Sequence, residues 1–172
     1  MHYRLEPDAD TVELLLFRRV CNAKAVRVRM LAGEFPAAFV KAALVADVFQ
    51  ALVAVSTAMH NQTQGSMSTR NLFTEIVYNL SSTRNMSKAL SRLGISDETA
   101  DMLVLVPNAT GKQIADIRAA VEGEEVLDVS EGVKETADMP QVRKFYGVTE
   151  AEERSGPIVD AIVTRMACRD VR

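Results

Sequence analysis

The chain has 172 residues, 48% of them hydrophobic, and a formal net charge of −3. This length and apolar content are typical of one domain, and the 5% of aromatic residues, none of them Trp, predicts an aliphatic core. An acidic chain is not expected to coat nucleic acid through bulk charge. No apolar run reaches the ~18 residues of a membrane span, and the first residues lack the apolar stretch of a secretory signal.

In chain order, periodicity and turn residues predict an alternation of short elements. Strands are predicted at 2–6 and 12–17, with Pro7, Asp8 and Asp10 as turn residues between them, and a helix at 22–32 is followed by a short extended segment at 43–46. Further helices are predicted from Asp47 to His60, at 70–80, at 85–94 and, after a strand at 102–106, at 110–121. A strand at 125–129, two short helices within 131–148 that Pro140 separates, and a last helix at 157–168 complete the prediction. Strands at both ends of the helical pieces favour an α+β fold.

Three helix starts carry the spacing of a capping box, in which a short polar residue is followed three positions later by Glu or Gln. The pairs are Asp47 with Gln50, Thr110 with Gln113, and Thr149 with Glu152. We therefore expect a helix to begin at each of them. No stretch of low complexity, repeat or boundary interrupts residues 1–172, so we expect a single domain.

The stretch STRNLFTEIVYNLS, residues 68 to 81, contains one acid in a mostly apolar run. At helical spacing its apolar residues fall on one stripe, with Glu75 at the polar edge. Thr69 and Arg70 stand at the N-terminal end of this helix, where backbone N–H groups and the helix dipole favour anions. The pattern predicts an ordinary amphipathic helix whose first residues could hold a phosphate.

A local basic surface is predicted although the whole chain is acidic. Residues 60–95 contain four basic residues and a single acid, and Arg84, Lys88 and Arg92 are spaced four apart. This spacing places them on one side of the helix at 85–94. Two interpretations stay open, a phosphate-binding surface and an ordinary solvated helix face.

The last predicted helix has an apolar arc that is wide for a terminal surface helix. Ile158, Ile162 and Met166 form one stripe, and Val159 and Val163 form a second one, slightly rotated. Either both stripes pack on the core, or one faces the core and the other a partner.

No constellation of catalytic residues is present in the sequence. The segment ATGKQ lacks both the upstream Gly and the final Ser or Thr of a phosphate-binding loop. Two histidines and two cysteines, without a CxxC pattern, argue against a structural zinc site, and a Cys21–His60 pair has no supporting motif. We expect free thiols, no cofactor, no metal and no enzymatic activity.

Four blocks of the sequence carry a resemblance to a known family. They are FQALVAVSTAMH, then G-x-M-x-TR-x-L-x-TEIVYNLS, then NMSKALSRLGIS, and near the C-terminus VRKFYGVTEAEERSGPIVDAIVTRMACRDV. Together they resemble the TPRKB family, the PRPK-binding subunits of the KEOPS (EKC) complex. The resemblance runs nearly from end to end. It implies one α+β domain with many helices and a small, mostly antiparallel sheet of about four strands.

The resemblance also implies a function. KEOPS makes threonylcarbamoyladenosine next to the anticodon of tRNAs that read codons beginning with A. The family implies a non-catalytic subunit, in the cytoplasm and nucleus, that binds the N-terminal lobe of a PRPK-like kinase and supports its ATPase activity. Through the kinase it meets an OSGEP-like synthase subunit and the other KEOPS subunits, and it helps to recruit the 3′ CCA end of tRNA. A stand-alone RNA-binding or regulatory protein is the alternative.

Carried onto this chain, the resemblance implies two sets of site residues. The kinase-binding set is Ile158, Ile162, Val163 and Met166; the tRNA-binding set is Thr69 and Arg70, with Arg84, Lys88 and Arg92 as further cations. Ser66 and Ser68 stand where family members often have lysines, which removes two positive charges from a phosphate-binding segment.

Overall fold

The computed structural model describes residues 1–5 and 10–169; the predicted turn residues Pro7 and Asp8 and the predicted strand end Glu6 lie outside the described residues. The strands are β1 (His2–Leu5), β2 (Asp10–Arg18), β3 (Ala38–Lys41), β4 (Met102–Pro107) and β5 (Glu124–Val126). The helices are α1 (Ala23–Leu31), α2 (Val48–Thr63), α3 (Leu72–Asn79), α4 (Met86–Leu93), α5 (Gly111–Ala120), α6 (Val129–Thr136), α7 (Met139–Tyr146), α8 (Glu150–Ser155) and α9 (Ile158–Ala167), with a 3₁₀ turn at Ala42–Leu44.

The five strands described form one sheet in which every pairing is antiparallel. The order is β1-β2-β4-β3, and β5 also pairs with β2. β4 pairs with one edge of β2 from Val12 to Phe17. β1 and β5 both pair with the other edge of β2, β1 near its N-terminal end and β5 near its C-terminal end. The α+β class is confirmed, with five strands rather than the expected four or so.

Side chains of the central strands alternate between two hydrophobic clusters, one on each face of the sheet. Leu14 and Leu16 of β2 point to a face that is covered by α2, α3, α6, α7 and α9. Leu15 and Phe17 point to the other face, which is covered by α1 and α5. The sheet is therefore the middle of three layers. No helix in the described part of the chain has both the length and the apolar character needed to cross a bilayer.

Two of the three predicted capping boxes are confirmed. Thr110 and Gln113 cap α5 reciprocally, and Thr149 and Glu152 do the same for α8. At α2 the prediction is only half right: the Asp47 carboxylate accepts from Phe49 N, but Gln50 is completely buried and turns inward. Its Oε1 accepts from Ala46 N at 3.0 Å, and its Nε2 donates to the Tyr146 hydroxyl at 2.6 Å.

Two boundaries differ from the sequence expectations. The extended segment expected at 43–46 is wrong, because the strand lies earlier, at β3, and a 3₁₀ turn follows it. Pro140 does not separate two helices; it lies in the first turn of α7, where its missing N–H costs nothing, and the break falls at Ala137 and Asp138.

Candidate functional site

The residues predicted to bind the kinase all lie on α9, some of them in the core and some nearer the surface. Ile162 is 0% exposed and Met166 is 7% exposed, and both belong to the cluster on the α2 side of the sheet. This placement corrects the sequence interpretation, since neither side chain presents a surface that a partner could contact directly. Changing Ile162 to Arg would test folding rather than binding.

The two remaining flanks of α9 differ in their packing. Ile158 and Ala161, on one flank, are half-buried and pack against the core. Val159 and Val163, on the other flank, are also half-buried, but they are not among the apolar side chains that pack against either described cluster. The second stripe predicted from the sequence is therefore the apolar surface that α9 offers.

An ion pair fixes α9 against α8. The two terminal guanidinium nitrogens of Arg165 contact the two carboxylate oxygens of Glu152, at 2.8 and 2.9 Å. The same carboxylate accepts from Thr149 N at 2.9 Å and from the Thr149 hydroxyl at 2.8 Å. The hydrogen bond from Arg165, helped by those from Thr149, lowers the pKa of Glu152 to about 2. The ionised Glu152 carboxylate thus links α9 to the N-cap of α8.

The predicted anion site at Thr69 and Arg70 is not a helix N-terminus. Helix α3 begins at Leu72, and its N-cap is Asn71, whose side chain accepts from Thr74 N at 2.9 Å. The Thr69 N–H donates to a Glu75 carboxylate oxygen at 2.8 Å, and its hydroxyl donates to Asn71 O. Arg70 is exposed and forms no salt bridge with a described residue. Of this pair, only Arg70 presents a side chain for a ligand.

Glu75 is not the boundary acid expected from the sequence, because its side chain is 0% exposed. One carboxylate oxygen accepts from Thr69 N, and the other accepts from Asn61 Nδ2 at 3.2 Å. The carboxylate therefore fastens the loop that follows α2 onto α3. Its role is to hold the segment that carries Arg70.

The Arg84 side chain bonds to the C-terminal end of the described chain, and Arg84 itself precedes α4. Its Nε donates to Arg169 O at 3.0 Å. Arg169 is buried; its guanidinium stacks 4.0 Å over the Tyr78 ring and donates to Tyr78 O at 2.8 Å and to Asn79 Oδ1 at 3.1 Å. This cluster joins the turn after α9 to the end of α3.

Lys88 and Arg92 lie one turn apart on the exposed side of α4, as the spacing predicted. The structure adds Lys41, the half-buried last residue of β3, to this side of the protein. Val40 bridges to Gly94, two residues after Arg92, so the end of β3 lies beside the end of α4. Burial and then the charge of Arg92 lower the pKa of Lys41. Nothing in the sequence places Lys41 next to residues some fifty positions later.

A cleft of about 1020 Å³ lies on the other flank of α4, between α1, β3 and α3. Its lining is mainly apolar and aromatic, with Phe35, Phe39, Phe73, Val77, Leu90 and Ile95. Its rim carries hydroxyl and amide groups, and the Arg27–Asp97 ion pair at 3.1 Å. A cleft with this lining suits a partly apolar ligand that carries a few polar groups.

The Cys21 thiol is hydrogen-bonded to an acid. Cys21 Sγ lies 3.4 Å from a Glu122 carboxylate oxygen, and this hydrogen bond raises the pKa of the Cys21 thiol, which disfavours the thiolate. The described residues contain no group of His, Cys, Asp and Glu side chains placed to hold a metal ion.

Comparison with known proteins identifies the family. The model of the kinase binding protein family CGI-121 matches residues 17–170. The chain belongs to the CGI-121 family. It is 42% identical over 163 residues to the EKC/KEOPS complex subunit TPRKB of Danio rerio, and the aligned region covers 94% of this chain and 92% of that protein.

Fungal members of the CGI-121 family are also similar. The EKC/KEOPS complex subunit CGI121 of Gibberella zeae is 34% identical over 152 residues, covering 81% of this chain and 77% of the relative. The subunit of the same name from Eremothecium gossypii is 33% identical over 162 residues, covering 87% and 89%. The resemblance noted in the sequence is confirmed at the level of the family.

Proposed function

We propose that the protein is a non-catalytic subunit of a KEOPS/EKC complex that makes threonylcarbamoyladenosine in tRNAs reading codons that begin with A. It binds the N-terminal lobe of a PRPK-like kinase, supports the ATPase activity of that kinase and, through it, joins an OSGEP-like synthase subunit in the cytoplasm and nucleus. The observation that carries this proposal is the match of the kinase-binding family over residues 17–170.

The outer flank of α9 is the kinase-binding surface in this proposal. Val159 and Val163 lie outside both core clusters and present apolar area. Ile162 and Met166 are buried in the core and anchor the helix. The Glu152–Arg165 pair holds the helix in one orientation, so little order has to be gained on binding. An apolar flank on a rigid helix is a common way for one protein to bind another.

The α3–α4 region is the tRNA-binding surface in this proposal. A single-stranded 3′ end brings flat bases and phosphates, and the protein supplies an aromatic and apolar cleft on one flank of α4 and cations on the other. Arg70, Lys88 and Arg92 are the cations of the predicted set that stay available to phosphates. Thr69 and Arg84 act by positioning, through their contacts with Glu75 and Arg169.

Co-purification with the kinase tests the first part. Val163→Arg should weaken kinase binding by about 30-fold or more, since a central interface residue is worth about 2 kcal/mol or more. Thr164→Arg is the matched control, because Thr164 is the exposed neighbour on a different side of α9. Both variants should keep the wild-type melting temperature within a few degrees. Equal binding by a folded Val163→Arg variant contradicts the assignment of this flank.

A tRNA binding experiment, with and without the kinase, separates the proposal from the alternative of a stand-alone RNA-binding protein. The proposal expects tRNA to bind more tightly to the assembled complex than to the isolated chain. Removing the CCA end should lower that affinity. Tight, salt-sensitive binding by the isolated chain, unchanged when the kinase is added, favours the alternative.

A further inference from the structure

We propose that Lys41, Arg92 and Lys88 form a binding site for backbone phosphates of nucleic acid, on the side of α4 away from the cleft. This inference rests on the tRNA-binding part of the proposed function. It adds Lys41, from a distant strand, to the two helix cations that the sequence pattern indicates.

The first support is where the fold places Lys41. β3 is paired with β4 on one edge, and on its other edge the bridge from Val40 to Gly94 holds the end of α4 against it. Lys41 follows the bridged residue directly, and Arg92 precedes Gly94 by two positions. The two cations are therefore held near each other by backbone pairing and do not depend on a flexible tail.

The second support is that these cations have no anionic partner in the part of the chain that the structure describes. Lys41, Lys88 and Arg92 form no salt bridge there, whereas seven arginines elsewhere are paired with carboxylates. On a chain of net charge −3, acids are plentiful. Three cations that form no ion pair with a described residue leave a local positive potential for an anion to occupy.

The third support is energetic. Lys41 is half-buried, and both its burial and the charge of Arg92 lower its pKa, so the free protein holds this ammonium in an unfavourable setting. A phosphate beside both groups would relieve that repulsion and raise the pKa of Lys41 again.

Nucleic acid fits better than an acidic peptide because of the neighbouring cleft. Ser87 and Ser91 line the cleft, and Lys88 and Arg92 follow each of them by one position on the same helix. A strand whose base lies against Leu90 in the cleft can cross α4 and meet these cations with its next phosphates. A carboxylate-rich peptide would leave the apolar cleft without a use.

The test measures tRNA affinity against salt concentration for the chain in complex with its kinase. For each phosphate that a variant no longer neutralises, the slope of log K against log salt should fall by ~0.7 to ~0.9, which corresponds to roughly five- to eightfold weaker binding at 0.1 M salt. Lys41→Met and Arg92→Gln should each show this change. Lys112→Met, an exposed lysine on α5 in the opposite layer, is the matched control and should leave the slope unchanged.

The outcomes distinguish a failure of the phosphate site from a failure of the proposed tRNA-binding function. If the wild type binds tRNA and both Lys41→Met and Arg92→Gln keep its slope and affinity, the phosphate site is wrong and the tRNA-binding function stands. If the wild-type complex has no salt-dependent affinity for tRNA, the tRNA-binding function fails and the site with it. If Arg92→Gln, an exposed position, loses kinase instead of tRNA, the cations face a protein and the inference is overturned. If Arg92→Gln lowers the slope and Lys41→Met does not, Lys41 is not part of the site and the inference is overturned. Should Lys41→Met fold poorly, Lys41→Gln, which keeps a polar end at this half-buried position, takes its place with the same outcomes.

Discussion

The buried hydroxyl of Tyr146 provides a sharp test of how the α3 side of the cleft is held. It donates to Leu80 O at 2.8 Å and accepts from Gln50 Nε2 at 2.6 Å, so it joins α7, α2 and the end of α3. Burial raises the pKa of Tyr146 well above its usual value, so the phenol stays protonated at any practical pH. Tyr146→Phe removes this one oxygen and keeps the ring, with its edge-to-face contact to Phe145.

The expected cost follows from the groups that are left behind. Leu80 O and Gln50 Nε2 each lose the hydrogen-bond partner that the hydroxyl supplied, and Gln50 itself is 0% exposed. A buried polar group without a partner costs about 1–3 kcal/mol, so two of them predict a loss of about 2–6 kcal/mol in the free energy of unfolding. Urea unfolding followed by circular dichroism should show a lower midpoint at an unchanged m-value.

Tyr78→Phe is the matched control for Tyr146→Phe. The Tyr78 hydroxyl makes a long contact of 3.4 Å with Arg84 O in a partly buried place, so its removal should cost less than about 1 kcal/mol. Equal costs for the two variants, within about 0.5 kcal/mol, would refute the reasoning, because the depth and pairing of the hydroxyl would then not matter.

Two further predictions concern the α8–α9 pair and the packing of α6. Because the pKa of Glu152 is lowered to about 2, its ionised form stabilises the fold above its unfolded pKa of 4.5, and this contribution is lost as the pH falls from there toward 2. Glu152→Gln should therefore flatten the melting temperature against pH in that window, and parallel wild-type and variant profiles would contradict the role of the Arg165 pair. A Cβ at Gly132 would lie 2.6 Å from Leu16 Cδ2 and 2.7 Å from Val126 Cγ1. Gly132→Ala should destabilise the protein by about 1–3 kcal/mol despite its better helix propensity. Gly111→Ala, with open space around it, should be neutral or stabilising, and similar unfolding midpoints for both variants would speak against close packing at α6.

Local chemistry accounts for the parts of the fold that the sequence predicted well. The capping boxes at Thr110 and Thr149 involve residues three apart, so their spacing alone predicts them. Gln50 has the same spacing from Asp47, but its amide bonds to Tyr146, 96 residues away, and no local pattern contains that partner. The missed β3 has a similar cause, because it is a short strand defined by its pairing with β4.

Two of the cations of the candidate site, Lys88 and Arg92, were predictable from the sequence, whereas Lys41 and the burial of the site residues were not. Helical spacing placed Lys88 and Arg92 correctly, and it distinguished the two stripes of α9. It could not tell which stripe faces the core, since Ile162 and Val163 are equally apolar and differ only in what the tertiary structure places against them. Glu75 shows the same limit: an acid in an amphipathic pattern usually marks the polar edge, and here two donors from the preceding loop and α2 bring it inside.

The pairing of β2 has a consequence for how the chain reaches its folded state. This strand lies near the start of the chain, yet its main partner, β4, comes some ninety residues later, and Leu16 also pairs with Val126. Contacts so distant in sequence slow folding, since a long loop must close before they form. During synthesis the apolar run from Leu14 to Phe17 therefore lacks its main partner strand until β4 has left the ribosome. Fragments that end before β4 should aggregate, and the time between the synthesis of β2 and that of β4 is when the nascent chain most needs a chaperone.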